Sequence, residues 1–195
     1  MTPFLVSAVV VALAEIGDKT QLLALLLASK FRRPLPIIFG ILTATLANHA
    51  GAAAVGTWFS RMIGPDVMRW VLGISFIGMG IWTMIPDKPG VADEEQSPKD
   101  AWGVFGTTAL AFFLLEIGDK TQIATVALAA KYSNLAPVTA GTTFGMMLAD
   151  VPAVLLGDVA AKKLPLGLVR TVAASIFEAL GMLALIGAVP GFAGH

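Results

Sequence analysis

Two identical heptapeptides contain the side chains best suited to chemistry. The sequence "EIGDKTQ" occurs at residues 15–21 and again at residues 116–122, each time within a long apolar run. Each copy places a glutamate, an aspartate and a lysine within the apolar run. In the first copy these residues are Glu15, Asp18 and Lys19. An ionisable side chain at the centre of a membrane costs about 2.5–3.5 kcal/mol on insertion scales. This cost favours a functional site over the alternative, a salt-bridge cluster that only fixes helix packing.

The charge balance of the two motifs indicates what they can bind. Their carboxylates are Glu15, Asp18, Glu116 and Asp119, and their lysines are Lys19 and Lys120. If these side chains meet and are all ionised, their net charge is about minus two. One divalent cation or two protons would neutralise it. A site that accepts either species has the basic property of an exchanger. Carboxylate, amide and hydroxyl oxygens suit Mg²⁺, Ca²⁺ and Mn²⁺, and the chain has no cysteine to favour a softer metal.

A regular helix through the motif would place Glu15, Asp18 and Lys19 on one face, because residues three and four apart are neighbours. Thr20 would point elsewhere unless the helix is broken, and Gly17 would permit such a break. Each lysine lies four residues after the glutamate of its own motif. The lysines are therefore predicted to be tethered counter-charges, paired with those glutamates.

Further polar residues lie near the motifs or in the helices that follow them. The possible additional ligands or supporting residues are Gln21, Gln122, Thr20, Thr121, Asn48 and Asp150. His49 is interpreted as a packed histidine, although it can carry protons. Glu178 is either a proton-handling residue or a helix-packing acid. The possible proton-handling residues are Glu15, Glu116 and Glu178.

The composition predicts the class of protein that must position these residues. The chain of 195 residues is 56% hydrophobic and 13% charged, whereas soluble domains have about 25% charged residues. Apolar stretches long enough to cross a lipid bilayer lie at about 3–30, 36–59, 67–85, 102–130, 137–159 and 167–189. We therefore expect an all-α membrane protein with six transmembrane helices. The net charge of zero argues against nucleic-acid binding, and neither a bound cofactor nor an enzymatic activity is expected.

An internal repeat organises these helices. A shift of 101 residues aligns Glu15 with Glu116, His49 with Asp150, and the glycines and prolines of the following segments. The sequence predicts a three-helix repeat at 1–85, a polar linker at 86–101 and a second three-helix repeat at 102–195. Because three is odd, the second repeat must be inverted in the membrane. The side of the linker has more lysine and arginine residues, so the linker is expected to be cytoplasmic and both termini outside.

The doubled "EIGDKT" resembles the Glu-x-Gly-Asp-(Lys/Arg)-(Thr/Ser) signature of the small cation/proton exchanger family. That family includes the Golgi Mn²⁺/Ca²⁺ transporters and the bacterial MneA-like manganese exporters. The resemblance covers both halves, and the compact chain is similar to the bacterial members. It implies metal ligands at Glu15, Asp18, Glu116 and Asp119, and a location in a bacterial inner (plasma) membrane.

The sequence therefore predicts a secondary transporter that exports Mn²⁺ in exchange for protons, and it leaves open whether Ca²⁺ is exported as well. The cation is the transported substrate. An exporter of amino acids or other small organic solutes is the first alternative, but it would not need carboxylates in both motifs. A membrane scaffold subunit is the second alternative. The sequence leaves open whether the protein forms a homo-oligomer.

Overall fold

Helices account for the regular structure throughout the described part of the chain. The computed structural model describes residues 1–85, 100–156 and 166–186, and contains no strand within these ranges. The helices are α1 (Thr2–Glu15), α2 (Lys19–Phe31), α3 (Pro34–Ser60), α4 (Pro65–Thr83), α5 (Ala101–Glu116), α6 (Lys120–Tyr132), α7 (Leu135–Leu156) and α8 (Leu166–Leu185). The prediction of an all-α protein is confirmed. Most of the predicted linker lies outside the described residues.

Two of the predicted membrane helices are broken inside the motifs. The expectation of a regular helix is wrong, because α1 ends at Glu15 and α2 begins only at Lys19, and α5 and α6 repeat this pattern. The glycine of each motif has a positive φ, 80° at Gly17 and 78° at Gly118. Side chains with a Cβ atom rarely adopt this backbone conformation. The break that Gly17 was expected to permit does occur, and the axes of α5 and α6 differ by 70°.

Several helices are apolar enough for a bilayer. By length and composition, α3 with 27 residues and α7 with 22 residues can each cross a membrane alone. The bent pair α5 and α6 would make a third crossing if it is counted as one span. Shorter apolar helices occur at Thr2–Glu15, Val67–Thr83 and Thr171–Leu185. These helices agree with the predicted membrane class.

The helices of the two halves pack against each other reciprocally. α1 packs along α7, and α5 packs along α3. The contact between α1 and α7 depends on glycine, since a Cβ atom added at Gly145 would lie 2.3 Å from the carbonyl oxygen of Ala8. The same is true where α3 meets α6, because a Cβ atom at Gly56 would lie 2.2 Å from the carbonyl oxygen of Val126.

The fourth helix of each half packs against its counterpart. Gly73 of α4 faces Leu185 of α8, whereas Gly80, two turns later, faces Ala174. The two helices are therefore antiparallel. α3 and α7 also run in opposite directions, because Pro34 at the start of α3 and Leu156 at the end of α7 line the same pocket. This packing encloses the acidic side chains at both breaks, although Ile117 and Gly118 of the second break are exposed.

Candidate functional site

Each helix break brings two carboxylates of one motif together in the protein interior. The glutamate ends the first helix, and the aspartate is the N-cap of the second. Glu15 and Glu116 are 0% exposed, and Asp18 and Asp119 are 1% exposed. The local sequence accounts for this geometry. The glycine allows the positive φ at the break, and an aspartate is a favoured N-cap residue for the helix that follows. Four carboxylates are thus buried in a region of largely apolar helices.

A threonine joins the two acids of each motif. In the second copy, the hydroxyl of Thr121 lies 2.9 Å from Oε2 of Glu116 and 3.4 Å from Oδ2 of Asp119, and can donate to either. Thr20 likewise donates to Glu15, and its hydroxyl lies 3.1 Å from Oδ2 of Asp18. The expectation that Thr20 points elsewhere on a regular helix does not hold, because the break turns its hydroxyl back toward the preceding helix.

A glutamine closes each break. Oε1 of Gln21 accepts a hydrogen bond from the backbone N–H of Gly17 at 2.9 Å, and Oε1 of Gln122 accepts one from Gly118 at 2.8 Å. Nε2 of Gln21 also donates to the carbonyl oxygen of Ala149 in α7 at 3.1 Å. These contacts give both glutamines a supporting position. They also place the first motif directly beside α7.

The lysines pair with aspartates of the opposite half. Nζ of Lys19 lies 3.0 Å from Oδ1 of Asp119, and Lys120 forms the reciprocal salt bridge with Asp18. The predicted pairing of each lysine with the glutamate of its own motif is therefore wrong. The cause is the helix break, which removes the i to i+4 relationship between Glu15 and Lys19. Both lysines are nevertheless counter-charges, and they connect the two halves of the chain.

The long helices α3 and α7 contribute the other predicted polar residues. Asp150 is 0% exposed and lies within electrostatic range of Asp18 and Glu15. Nδ2 of Asn48 donates to the carbonyl oxygen of Phe113 at 3.1 Å, which supports the contact between α3 and α5. His49 is also 0% exposed. Neither of its ring nitrogens has a hydrogen-bond partner among residues 1–85, 100–156 and 166–186.

Glu178 lies apart from the buried acids of the two motifs and from Asp150. It is exposed on α8, and its Cγ atom lies against Gly80 of α4. It lies at the contact between α4 and α8 and not in either motif. The structure therefore does not bring this candidate proton-handling residue together with the motif acids.

Within the described residues, several oxygens of the buried acids Glu15, Glu116 and Asp150 have no hydrogen-bond partner. They are Oε2 of Glu15, Oε1 of Glu116, and Oδ1 and Oδ2 of Asp150. A buried polar atom without a hydrogen bond is costly, and a buried charge is more so. Cations or protons would satisfy these oxygens. In the described ranges, however, no three His, Cys, Asp or Glu side chains are grouped as they would be around a metal ion. The aspartates are instead compensated by lysines, so a cation has to displace those lysines to use all the acids.

Comparison with known families extends this description. A family model described as "Divalent cation/proton antiporter GDT1" matches residues 3–90 and residues 104–191. Both ends of the second match lie 101 residues after those of the first. This offset equals the shift that aligns the two motifs in the sequence.

Individual relatives cover most of the chain. A protein of Vibrio cholerae named "Putative manganese exporter" is 53% identical over 178 residues, which are 91% of this chain and 87% of that protein. A GDT1-like protein of Synechocystis is 26% identical over 84% of this chain and 87% of its own length. "GDT1-like protein 4" of Oryza sativa is 24% identical over 89% of this chain and 69% of its own length. No solved structure is significantly similar to this chain.

Proposed function

Because the chain belongs to the GDT1 family of divalent cation/proton antiporters, we propose that it exports Mn²⁺ in exchange for protons, with Ca²⁺ as a second cargo. The observation that carries this proposal is the set of buried, unpartnered oxygens on Glu15, Glu116 and Asp150. All of these are hard oxygen donors, which suit Mn²⁺ and Ca²⁺. The name "Putative manganese exporter" of the Vibrio cholerae relative, which is 53% identical, supports the choice of Mn²⁺ as the main cargo.

The motif acids are the proposed ligands. Glu15, Asp18, Glu116 and Asp119 would bind the cation, and the hydroxyls of Thr20 and Thr121 already contact them. Gln21, Gln122 and Asn48 have structural hydrogen bonds to the backbone, so we assign them supporting roles.

Exchange follows from the alternative ways of compensating these acids. A divalent cation and protons would compete for the same carboxylates, so binding of one species releases the other. Lys19 and Lys120 would hold the aspartates in the state without cation and move away when it binds. The salt bridges join the two halves, so their release would also loosen the contact between halves. This couples occupancy of the site to movement of one half relative to the other.

We propose a topology of six membrane crossings arranged as two inverted repeats. The crossings would be α1 with α2, α3, α4, α5 with α6, α7, and α8. Residues 1–85 and 102–195 would form the repeats, joined by a cytoplasmic linker at 86–101, with both termini outside a bacterial plasma membrane. The opposite directions of α3 and α7 and of α4 and α8 support this topology. So does the match of one family model to each half.

Labelling can test the topology. A single cysteine replacing Ala92 should react only with a reagent on the cytoplasmic side, and one replacing Gly194 only with a reagent outside. The chain has no native cysteine, so each variant carries a single reactive thiol. Labelling of both positions from the same side would contradict an odd number of crossings between them.

Transport into and out of liposomes tests the function itself. Purified protein in liposomes loaded with Mn²⁺ or Ca²⁺ should release the cation when the outside is more acidic than the lumen. Liposomes loaded with amino acids should release nothing above the background of protein-free liposomes. Amino-acid release without cation release would instead favour an organic-solute exporter.

A further inference from the structure

The two motifs are identical, but the residues supplied to them by α3 and α7 differ. The shift of 101 residues that aligns the motifs aligns His49 of α3 with Asp150 of α7. Both side chains are 0% exposed. One half of the molecule therefore has an additional buried carboxylate where the other has an imidazole.

Asp150 is placed beside the first motif. The hydrogen bond of 3.1 Å from Gln21 to the carbonyl oxygen of Ala149 fixes α2 against α7 at the residue before Asp150. The carboxylate of Asp150 lies within electrostatic range of Asp18 and of Glu15. Glu116 also lies within electrostatic range of Asp150, so the backbone contact of α2 with α7 is what assigns Asp150 to the first motif.

Among the described residues, no side chain donates a hydrogen bond to the carboxylate of Asp150. Lys19 pairs with Asp119, and Lys120 pairs with Asp18. Both oxygens of Asp150 and one oxygen of Glu15 are buried, and they have no hydrogen-bond partner in the part of the chain that the structure describes. A ligand that supplies positive charge would therefore be most stabilised at this point of the cluster.

His49 cannot supply the same property to the second half. Its two ring nitrogens are buried without partners, and an imidazole can offer at most one nitrogen lone pair to a metal. The hydrogen bond from Asn48 to the carbonyl oxygen of Phe113 places this part of α3 against α5, three residues before Glu116. This part of α3 therefore lies against the helix that ends at the second motif, and it has an imidazole where α7 has a carboxylate.

We propose that the two half-sites are unequal: Glu15, Asp18 and Asp150 form the half-site with the higher cation affinity, and Asp150 is a direct ligand. These three acids are not grouped around a metal position in the described structure, so they close on the cation only when it binds. This inference rests on the proposed transport of a divalent cation. The second half-site, with Glu116 and Asp119, has a lower cation affinity because His49 stands in place of the third acid. The salt bridge from Lys120 to Asp18 must open when the cation binds.

Binding of radioactive Mn²⁺ to purified protein, measured by equilibrium dialysis in detergent, tests the role of Asp150. Asp150→Asn should weaken binding at least about tenfold, a loss that even residues in the outer shell of a metal site commonly cause. Asp150→Glu should recover part of the affinity, because it restores the carboxylate. Size-exclusion chromatography of each variant would show whether it remains folded.

Exchanging Asp150 and His49 between the two halves tests whether Asp150 is a metal ligand or only supports the structure. Asp150→His alone should lose affinity, and addition of His49→Asp to that variant should restore binding at least about tenfold, because it supplies the second motif with a third acid. If Asp150→His does not fold, the same test can be made with Glu15→Gln. His49→Asp should then improve binding by Glu15→Gln but not by Glu116→Gln.

The outcomes distinguish this inference from the function on which it rests. Wild-type affinity of Asp150→Asn, together with weak binding by Glu15→Gln, would overturn the role of Asp150 and leave cation transport intact. No improvement from His49→Asp in either background would contradict the inequality of the half-sites. Failure of the wild-type protein to bind or transport Mn²⁺ and Ca²⁺ would instead contradict the proposed function.

Discussion

The two copies of the heptapeptide have the same sequence and the same turn, but they lie in different surroundings. Gly17 is buried, whereas Gly118 is exposed. The lysines show the reverse, because the side chain of Lys19 is 23% exposed and that of Lys120 is 4% exposed. The local sequence determines the turn, while the helices of the opposite half determine what surrounds it. Identical motifs can therefore perform different steps of one transport cycle.

Removal of the glutamate charge from either motif should have the largest effect on transport. Glu15→Gln and Glu116→Gln each keep the shape of the side chain and remove a ligand charge. Both should reduce Mn²⁺ efflux from liposomes to the background without protein. Binding should differ, since Glu15→Gln is expected to lose more Mn²⁺ affinity than Glu116→Gln.

Glu178→Gln is the matched control for these variants, because Glu178 is exposed on α8 and lies against Gly80 of α4, whereas the motif acids are buried. It should transport Mn²⁺ at close to the wild-type rate. Near-normal efflux by both Glu15→Gln and Glu116→Gln would contradict the assignment of the motifs as the cation site.

Replacement of the lysines should have an unequal effect on stability. Lys120→Met leaves Asp18 buried without its salt bridge, and loss of one partner from a buried pair costs about 3–5 kcal/mol. Lys19→Met should cost less, because Lys19 is partly exposed and its bridge to Asp119 is less shielded. Thermal unfolding in detergent would measure the difference. Equal losses, or a larger loss for Lys19→Met, would contradict the structural asymmetry between the two bridges.

Substitution of Gly118 should have the smallest effect, a modest loss of stability. A Cβ atom added there would meet nothing within 4 Å, so the cost comes from the backbone φ of 78°. Gly118→Ala should therefore destabilise the protein by about 1–2 kcal/mol. Gly106→Ala is a suitable control, because Gly106 also has open space around it but lies within α5. A stability of Gly118→Ala equal to or greater than that of wild type would show that the positive φ is not required.

The sequence predicts the class of the protein and the identity of the buried acids well, for clear physical reasons. Charges such as Glu15 and Asp18 within an apolar run have few explanations other than function. The equivalence of His49 and Asp150 could also be predicted, because an internal repeat aligns residues without knowledge of the fold.

The arrangement within the motif could not be predicted from helix periodicity. Apolar residues continue on both sides of Gly17, so the pattern indicates one continuous helix although the structure has two. The pairing of Lys19 with Asp119 depends on the packing of the two halves, which a local spacing rule does not describe. The signal that could have indicated these cross-pairs was the repeat itself, because it predicts that both motifs meet in the interior.

Proton-coupled flux tests the central claim most directly. Liposomes containing the protein and Mn²⁺ should be given an outside pH lower than the lumen pH, with an indicator for each ion. The account predicts that Mn²⁺ leaves against its own gradient while protons enter, and that an imposed Mn²⁺ gradient moves protons in the opposite direction. Saturable Mn²⁺ flux that is indifferent to pH and moves no protons would contradict exchange at a shared carboxylate site.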